Sequence, residues 1–246
     1  QKQKLWQAIF ATSRIENEDP IKAWKDHLEN LNQKADYMNS KQYDALHYRS
    51  DVTDLVVGLP KNHKWCGADD KTVEGNMFIA NIPTEEIFTL PDRDRVDGFV
   101  KSTKPLNYGG ILCENFVFEF KDGKAVSVKA EKGQEALEKL LEIDESSAYL
   151  GEVALVPHSS PISASGLLFY NTLFDENASS HLALGTAYNF TLENGNEMDE
   201  DEFKKAGGNV SIAHTDFMIG SDKLDIDGIT KEGTREPVMR KGEWAF

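Results

Sequence analysis

A chain of 246 residues with 39% hydrophobic and 10% aromatic side chains is globular in composition, which excludes a disordered chain. Its 42 acidic and 27 basic side chains leave a formal net charge of -15, which argues against partners such as nucleic acid or an anionic membrane surface and reads first as solubility. No apolar run approaches a membrane span and "QKQKLWQAIF" lacks the apolar stretch of a signal peptide. Two distant cysteines, Cys66 and Cys113, suit a reducing compartment, so a cytoplasmic protein is expected.

In chain order, Leu5, Trp6, Ile9 and Phe10, then Ile21, Trp24, Leu28 and Leu31, fall at helical spacing. They predict two amphipathic helices over residues 1–34, with Asp19 as N-cap, Pro20 in the first turn and the Trp and Leu stripe packed into the core. From about residue 46 short β-rich runs take over: "ALHYRS", "DLVVGLP", "MFIANIP" and "RVDGFVKST". "ENFVFEFKDGKAVSVKAE" predicts a hairpin turning at Asp122-Gly123. An exposed amphipathic helix is expected over 133–143, a buried strand at "LGEVALVP", and a helix over about 175–184 closed near Gly185. A strand follows in "NVSIAHTDFMIG" and a last one in "EPVMRKGEWAF". The pattern is α+β: a mainly antiparallel sheet core, an N-terminal helix pair and interspersed helices. No composition shift divides the chain, so residues 1–246 are expected to form one domain, with 1–34 as a helical lead-in.

The chemistry-bearing residues lie where solvated side chains are not expected. In the 209–220 strand His214 and Asp216 share a face, since side chains alternate along a strand. A carboxylate beside an imidazole in an apolar run needs a partner. Glu152 is flanked by Gly151, Val153, Ala154, Leu155 and Val156, Glu85 and Glu86 follow "NIPT", and His181 sits in "DENASSHLALG". Carboxylates with imidazoles suit zinc, cobalt or manganese, and carboxylates that bridge suit a two-metal site. Each residue also has a simpler reading: His181 as a satisfied helix histidine, Glu152 as a salt-bridged strand residue, His214 and Asp216 as a local pair. A calcium loop in "SDKLDIDGITKEG" is rejected. Setting Asp225, Asp227 and Gly228 at its third, fifth and sixth positions puts Lys223 first and Thr234 twelfth. No Gly-rich phosphate loop or G-x-S-x-G elbow is present.

The stretches "NIPTEEIFTLPDRDRVDGFV", "STKPLNYGG", "YLGEVALVP", "SGLLFYNTLFDENASSHLALG", "AHTDFMIGSDKLDIDGIT" and "EPVMRKGEWAF", in this order, closely resemble the bacterial metallo-aminopeptidases of the aminopeptidase T, aminopeptidase S and PepS family. The resemblance runs from "DPIKAWKDHL" to the C-terminus. It implies a cytoplasmic, homodimeric exopeptidase that removes N-terminal residues from peptides with two divalent cations. By motif it carries metal-ligand roles onto Glu86, Glu152, His181, Tyr188, His214 and Asp216. Catalytic roles are expected for Glu152 as the bridging carboxylate, for Tyr188, and for Glu176 as a further ligand or general base, with Glu85 as an alternative base. Family members carry a substantial N-terminal domain ahead of this region, so the chain is expected to be the catalytic C-terminal part. The rival readings are a metal-binding, dimerising but inactive fragment, and another two-metal hydrolase such as an amidase or phosphoesterase.

Overall fold

The computed structural model describes residues 2–246. Helices α1 (Lys2–Thr12) and α2 (Pro20–Lys41) open the chain as the apolar spacing predicts. Asp19 accepts the Lys22 N–H on its Oδ1 at 2.9 Å, and Pro20 occupies the first turn, where its missing N–H costs nothing. The C-terminal half of α2 buries Leu31, Ala35 and Met38 against the core. The rest of the stripe departs from expectation: Leu5, Trp6 and Phe10 are 45%, 50% and 39% exposed, Ile21 at the start of α2 is 71% exposed, and Thr12 is the buried residue of α1. Helical periodicity reports an apolar face, not the existence of something to cover it.

Strands β1 (Ala45–Ser50) and β2 (Thr53–Gly58) follow, then a short hairpin of β3 (Asp69–Lys71) and β4 (Met77–Ile79). Next come β5 (Ile87–Thr89), β6 (Val96–Lys101), and a second short hairpin of β7 (Leu106–Tyr108) and β8 (Ile111–Cys113). Strands β9 (Val117–Lys121) and β10 (Lys124–Lys129) form the expected hairpin, with Lys121 opposite Lys124. Its turn needs positive φ twice, 49° at Asp122 and 85° at Gly123, and a Cβ at Gly123 would lie 1.8 Å from the Arg93 carbonyl oxygen. Helix α3 (Gln134–Leu141) buries Ala136, Leu137 and Leu140 and leaves its charged face to solvent.

The remainder comprises β11 (Leu150–Leu155), the short helices α4 (Pro161–Ser165) and α5 (Thr172–Asp175), a 3-10 turn at Glu176–Ala178, and β12 (His181–Gly185). Then come α6 (Glu200–Lys205), β13 (His214–Met218), β14 (Asp225–Ile229), β15 (Arg235–Arg240) and β16 (Glu243–Trp244). The helix expected over 175–184 is therefore wrong from Ser179 onward. "HLALG" has good helix formers, but it lies between β11 and β13 as an interior strand, and the two ladders override propensity. The expected single last strand is a tight hairpin, Met239 opposite Trp244, turned at Lys241 and Gly242 with positive φ. The rejected calcium-loop segment contains β14, where Asp227 is held by Arg49 and Arg240.

The strands assemble into an eight-stranded sheet, β10-β9-β6-β2-β1-β14-β15-β16, and a four-stranded sheet, β13-β12-β11-β5, with antiparallel neighbours throughout. Leu46, Tyr48 and Leu55 of the large sheet and Val153, Leu182, Leu184 and Phe217 of the small one belong to one buried apolar cluster. Phe118 of β9 and Phe217 of β13 stand 5.1 Å apart between ring centroids, joining the two sheets by an aromatic contact of about 0.5–1.5 kcal/mol. This α+β architecture packs one face of the small sheet against the apolar core and gives the other, also buried along β11 and β12, to polar side chains. Among the described residues no helix is long and apolar enough to cross a membrane.

Candidate metal centre

The register of the small sheet brings the candidate residues together. Across the ladder between β11 and β12, Glu152 stands opposite Ala183 and Ala154 opposite His181. Across the next ladder, Asp216 stands opposite Ala183 and His214 opposite Gly185. Directly opposed residues point to the same face, so Glu152, His181, His214 and Asp216 converge over Ala183 on the face turned away from the core. Phe88, opposite Ala154, shares that face, and Glu86 precedes it by two positions in the segment entering β5.

A bulge aims the central carboxylate. The register between β11 and β12 shifts between Leu150 and Glu152, leaving Gly151 as the extra residue. A Cβ at Gly151 would lie 2.2 Å from the Thr186 carbonyl oxygen and 2.3 Å from that of Gly185, so glycine permits this close approach.

The side chains form two groups with Glu152 in both: Glu86, Glu152 and His181, and Glu152, His214 and Asp216. His181 Nε2 lies 3.0 Å from Glu86 Oε2 and 3.5 Å from Glu152 Oε1. His214 Nε2 lies 3.8 Å from Glu152 Oε2 and 3.6 Å from Asp216 Oδ1. The two oxygens of Glu152 thus face different histidines.

Both imidazoles have their other nitrogen committed. His181 Nδ1 donates to the Ser179 carbonyl oxygen at 3.2 Å and His214 Nδ1 to that of Thr186 at 2.9 Å. This leaves each Nε2 turned toward carboxylates, the arrangement that orients a metal-ligating histidine. Glu86 Oε2 is buried and makes no hydrogen bond despite its 3.0 Å approach to His181. A buried carboxylate oxygen left without a hydrogen bond this close to an imidazole nitrogen fits a cation shared between them.

The charge balance points the same way. Burial, then the Asp216 and Glu86 charges, push the Glu152 carboxyl up to about 7. Burial and the Glu86 charge push Glu176 up to about 9. Burial opposes the charge on both histidines, yet the carboxylates prevail: Glu152 and Glu86 raise His181 well above its ordinary value, and Asp216 and Glu152 raise His214 to about 9. Asp216 is also disfavoured as a charge by burial but is pulled below its ordinary value by His214 and His181. Without cations this site holds protons in their place.

Glu176, in the 3-10 turn after α5, and Tyr188 line a cleft of about 970 Å3 together with Glu86, Glu152, His214 and Asp216. Tyr188 stacks on Phe190 at 5.4 Å between centroids and tilts against His214 at 5.1 Å. Burial and then the Glu152 and Asp216 charges push its phenol up to about 12, so it stays protonated. Phe88 completes an aromatic wall with these two rings. Glu85 is elsewhere: its carboxylate is fully engaged by Arg14 at 2.5 and 2.9 Å, which removes it as a candidate base. Neighbouring residues in an extended segment point to opposite sides, and here Glu86 enters the cluster while Glu85 faces the helices.

Sequence reasoning missed Ala183, whose small side chain leaves room for the cluster, and the aromatic wall contributed by Phe88 and Phe190. Ala183 carries no chemical signal of its own; only strand pairing shows that it lies between Glu152 and Asp216. The two phenylalanines could have been flagged by their spacing from Glu86 and Tyr188, two positions away in each case.

The thermophilic metalloprotease (M29) family model matches residues 1–244. The chain belongs to this family. Aminopeptidase AmpS of Bacillus subtilis is 55% identical over 242 residues, covering 98% of this chain and 59% of the relative. Aminopeptidase PepS of Streptococcus thermophilus is 49% identical over 242 residues, with the same two coverages, 98% and 59%. The structure of wild-type AmpT from Thermus thermophilus matches with a TM-score of 0.91 at 47% identity, covering 99% of this chain and 59% of that one. The M29 chain described here thus spans about three-fifths of the length of the curated relatives it matches. Membership in a metalloprotease family brings divalent metal ions with it, and the carboxylate and imidazole cluster is a donor set that fits them.

Proposed function

We propose that this chain is the catalytic domain of a dinuclear metal-dependent aminopeptidase, with residues 1–246 acting as one unit. The observation that carries the reading is that Glu152 belongs to both ligand groups and turns one oxygen toward each histidine. Glu86 and His181 would complete one ion's protein ligands, His214 and Asp216 the other's, with Tyr188 as a neutral ligand or hydrogen-bond donor beside His214. Two ions of zinc, cobalt or manganese suit these donors, and the names of the relatives support aminopeptidase chemistry.

Divalent ions supply a Lewis acid for a scissile carbonyl and make water acidic enough to yield hydroxide near neutral pH. Glu176 faces the same cleft, and bound cations would favour its carboxylate form over the protonated one. As a carboxylate it would take the proton from the attacking water and return it to the leaving amine. The free α-ammonium of a peptide would be drawn to the acidic cluster, which accounts for exopeptidase action. The aromatic wall would contact apolar parts of the substrate.

An inactive metal-binding fragment is disfavoured by Glu176, an acid in the cleft that neither ligand group uses. Resemblance to the family further supports a homodimer in the cytoplasm, and the free thiols Cys66 and Cys113 suit that compartment. Hydrolysis of aminoacyl amides beside their N-acetylated forms, with and without added metal, tests the reading. Metal-dependent cleavage of the unblocked compounds alone supports it; equal rates on both forms contradict it.

A further inference from the structure

Glu86 reaches the metal cluster from residues 84–86, a stretch with no regular secondary structure. An unsupported loop would hold a metal ligand poorly, and three polar contacts tie this one down. The Thr84 carbonyl oxygen accepts from His27 Nε2 at 2.7 Å. The Glu85 N–H donates to Asn177 Oδ1 at 2.8 Å, linking the stretch to the residue after Glu176. The Glu85 carboxylate, 4% exposed, receives both Nη groups of Arg14.

Arg14 is itself held in place by its neighbours. It lies between α1 and α2 at φ 58°, a left-handed conformation that costs a non-glycine residue energy. Its guanidinium lies over the Trp24 ring at 5.2 Å from the centroid, and Trp24 Nε1 donates to the Ser13 carbonyl oxygen at 2.9 Å. Arg14 Nη2 donates to His27 Nδ1 at 3.1 Å. Because arginine can only donate, Nδ1 of His27 is the acceptor and the ring proton is on Nε2, where it reaches Thr84. Burial keeps His27 below its ordinary value, which agrees with a neutral ring.

We propose that Arg14, through its two-pronged contact with Glu85, is a positioning residue for the metal site, setting the loop so that Glu86 points at His181. The helical lead-in then serves the chemistry as well as the fold. This rests on the two-ion reading above. It assigns Arg14 to the ion shared by Glu86, Glu152 and His181, and leaves the ion at His214 and Asp216 independent of it.

The test is a titration of cobalt(II) alone into the full chain after chelator treatment, followed by visible absorption, for the parent, Glu85→Gln and Arg14→Lys. Circular dichroism monitors the fold. Removing a group that orients a metal ligand lowers affinity about 10- to 100-fold. The expected result is a loss of that size for one of the two ions, with the second ion bound as in the parent. Arg14→Lys keeps the charge but not the planar fork, so it should also weaken that ion. Arg14→Ala should regain affinity when guanidinium is added at millimolar level. Should Glu85→Gln fail to fold, the milder Arg14→Lys decides. Two ions bound as tightly as in the parent by folded variants overturn the inference and leave the two-ion reading standing. Equal weakening of both ions also overturns it, since general loosening would do that. A parent chain that takes up no ion overturns both.

Discussion

Glu152 stands directly across the ladder from Ala183, and the smallness of that alanine leaves the space into which the carboxylate projects. Asp216 flanks the same alanine from the other side. Ala183→Leu would place a branched side chain under both carboxylates. Overpacking of this kind costs about 1–3 kcal/mol, so the melting temperature should fall while metal affinity falls much further. Calorimetry and metal titration on one preparation check this; unchanged metal affinity would place the cluster elsewhere.

If Glu152 is the shared ligand proposed above, removing it should differ from removing Tyr188. Glu152→Gln keeps the shape but withdraws the charge that holds two like-charged ions together, and a neutral amide bridges poorly. Activity should fall by orders of magnitude and at least one ion should bind much more weakly. Tyr188→Phe removes only a neutral phenol and should retain more metal even if turnover slows. If Glu152→Gln binds two ions like the parent while Tyr188→Phe loses both, the bridging role belongs to another residue.

Glu176→Gln separates proton transfer from metal binding. A positioned acid or base contributes roughly a hundred- to ten-thousand-fold to rate, so turnover should drop by that factor while the ion content of the chain is preserved. Loss of metal in parallel with activity would make Glu176 a ligand instead.

Stability of the metal-free chain should fall as pH rises. Glu152 is shifted from 4.5 to about 7, Glu176 from 4.5 to about 9, and His214 from 6.5 to about 9. Each folded-state value is raised, so the folded chain retains protons that the unfolded chain has released. The stability from these groups is complete below the ordinary values and is lost as pH climbs through about 7 and about 9. Asp216 is lowered from 3.8 and acts only at acid pH, where its contribution disappears as pH falls through the lowered value. Metal binding displaces the same protons, so at fixed free cobalt the metal-induced rise in melting temperature should grow with pH. A rise that stays flat or shrinks between roughly pH 6 and 9 would contradict this.

The parts of the fold legible in sequence were those whose signals are local. Asp122-Gly123 demands a turn whatever surrounds it, and Asp19-Pro20 starts a helix by its own hydrogen bonding. "HLALG" misled because an interior strand buried on both faces loses its alternation, leaving leucine and alanine to suggest a helix. The α1 stripe showed an apolar face but could not show that the face stays exposed. In the site, His214 and Asp216 were legible as a pair because a spacing of two puts them on one face. By their own spacing Glu85 and Glu86 looked alike; the family resemblance chose Glu86, and Arg14 and His181 give the two side chains their opposite directions.

The count of divalent ions on the chain decides whether the carboxylate and imidazole cluster is a two-metal centre. Elemental analysis of the purified, undialysed protein, repeated after chelation together with a melting curve, should give up to two zinc, cobalt or manganese ions per chain. Chelation should remove them and lower the melting temperature, because an ion that binds only the folded state stabilises it. A chain that takes up none of these metals when they are supplied, and melts identically with and without chelator, would contradict the account at its base.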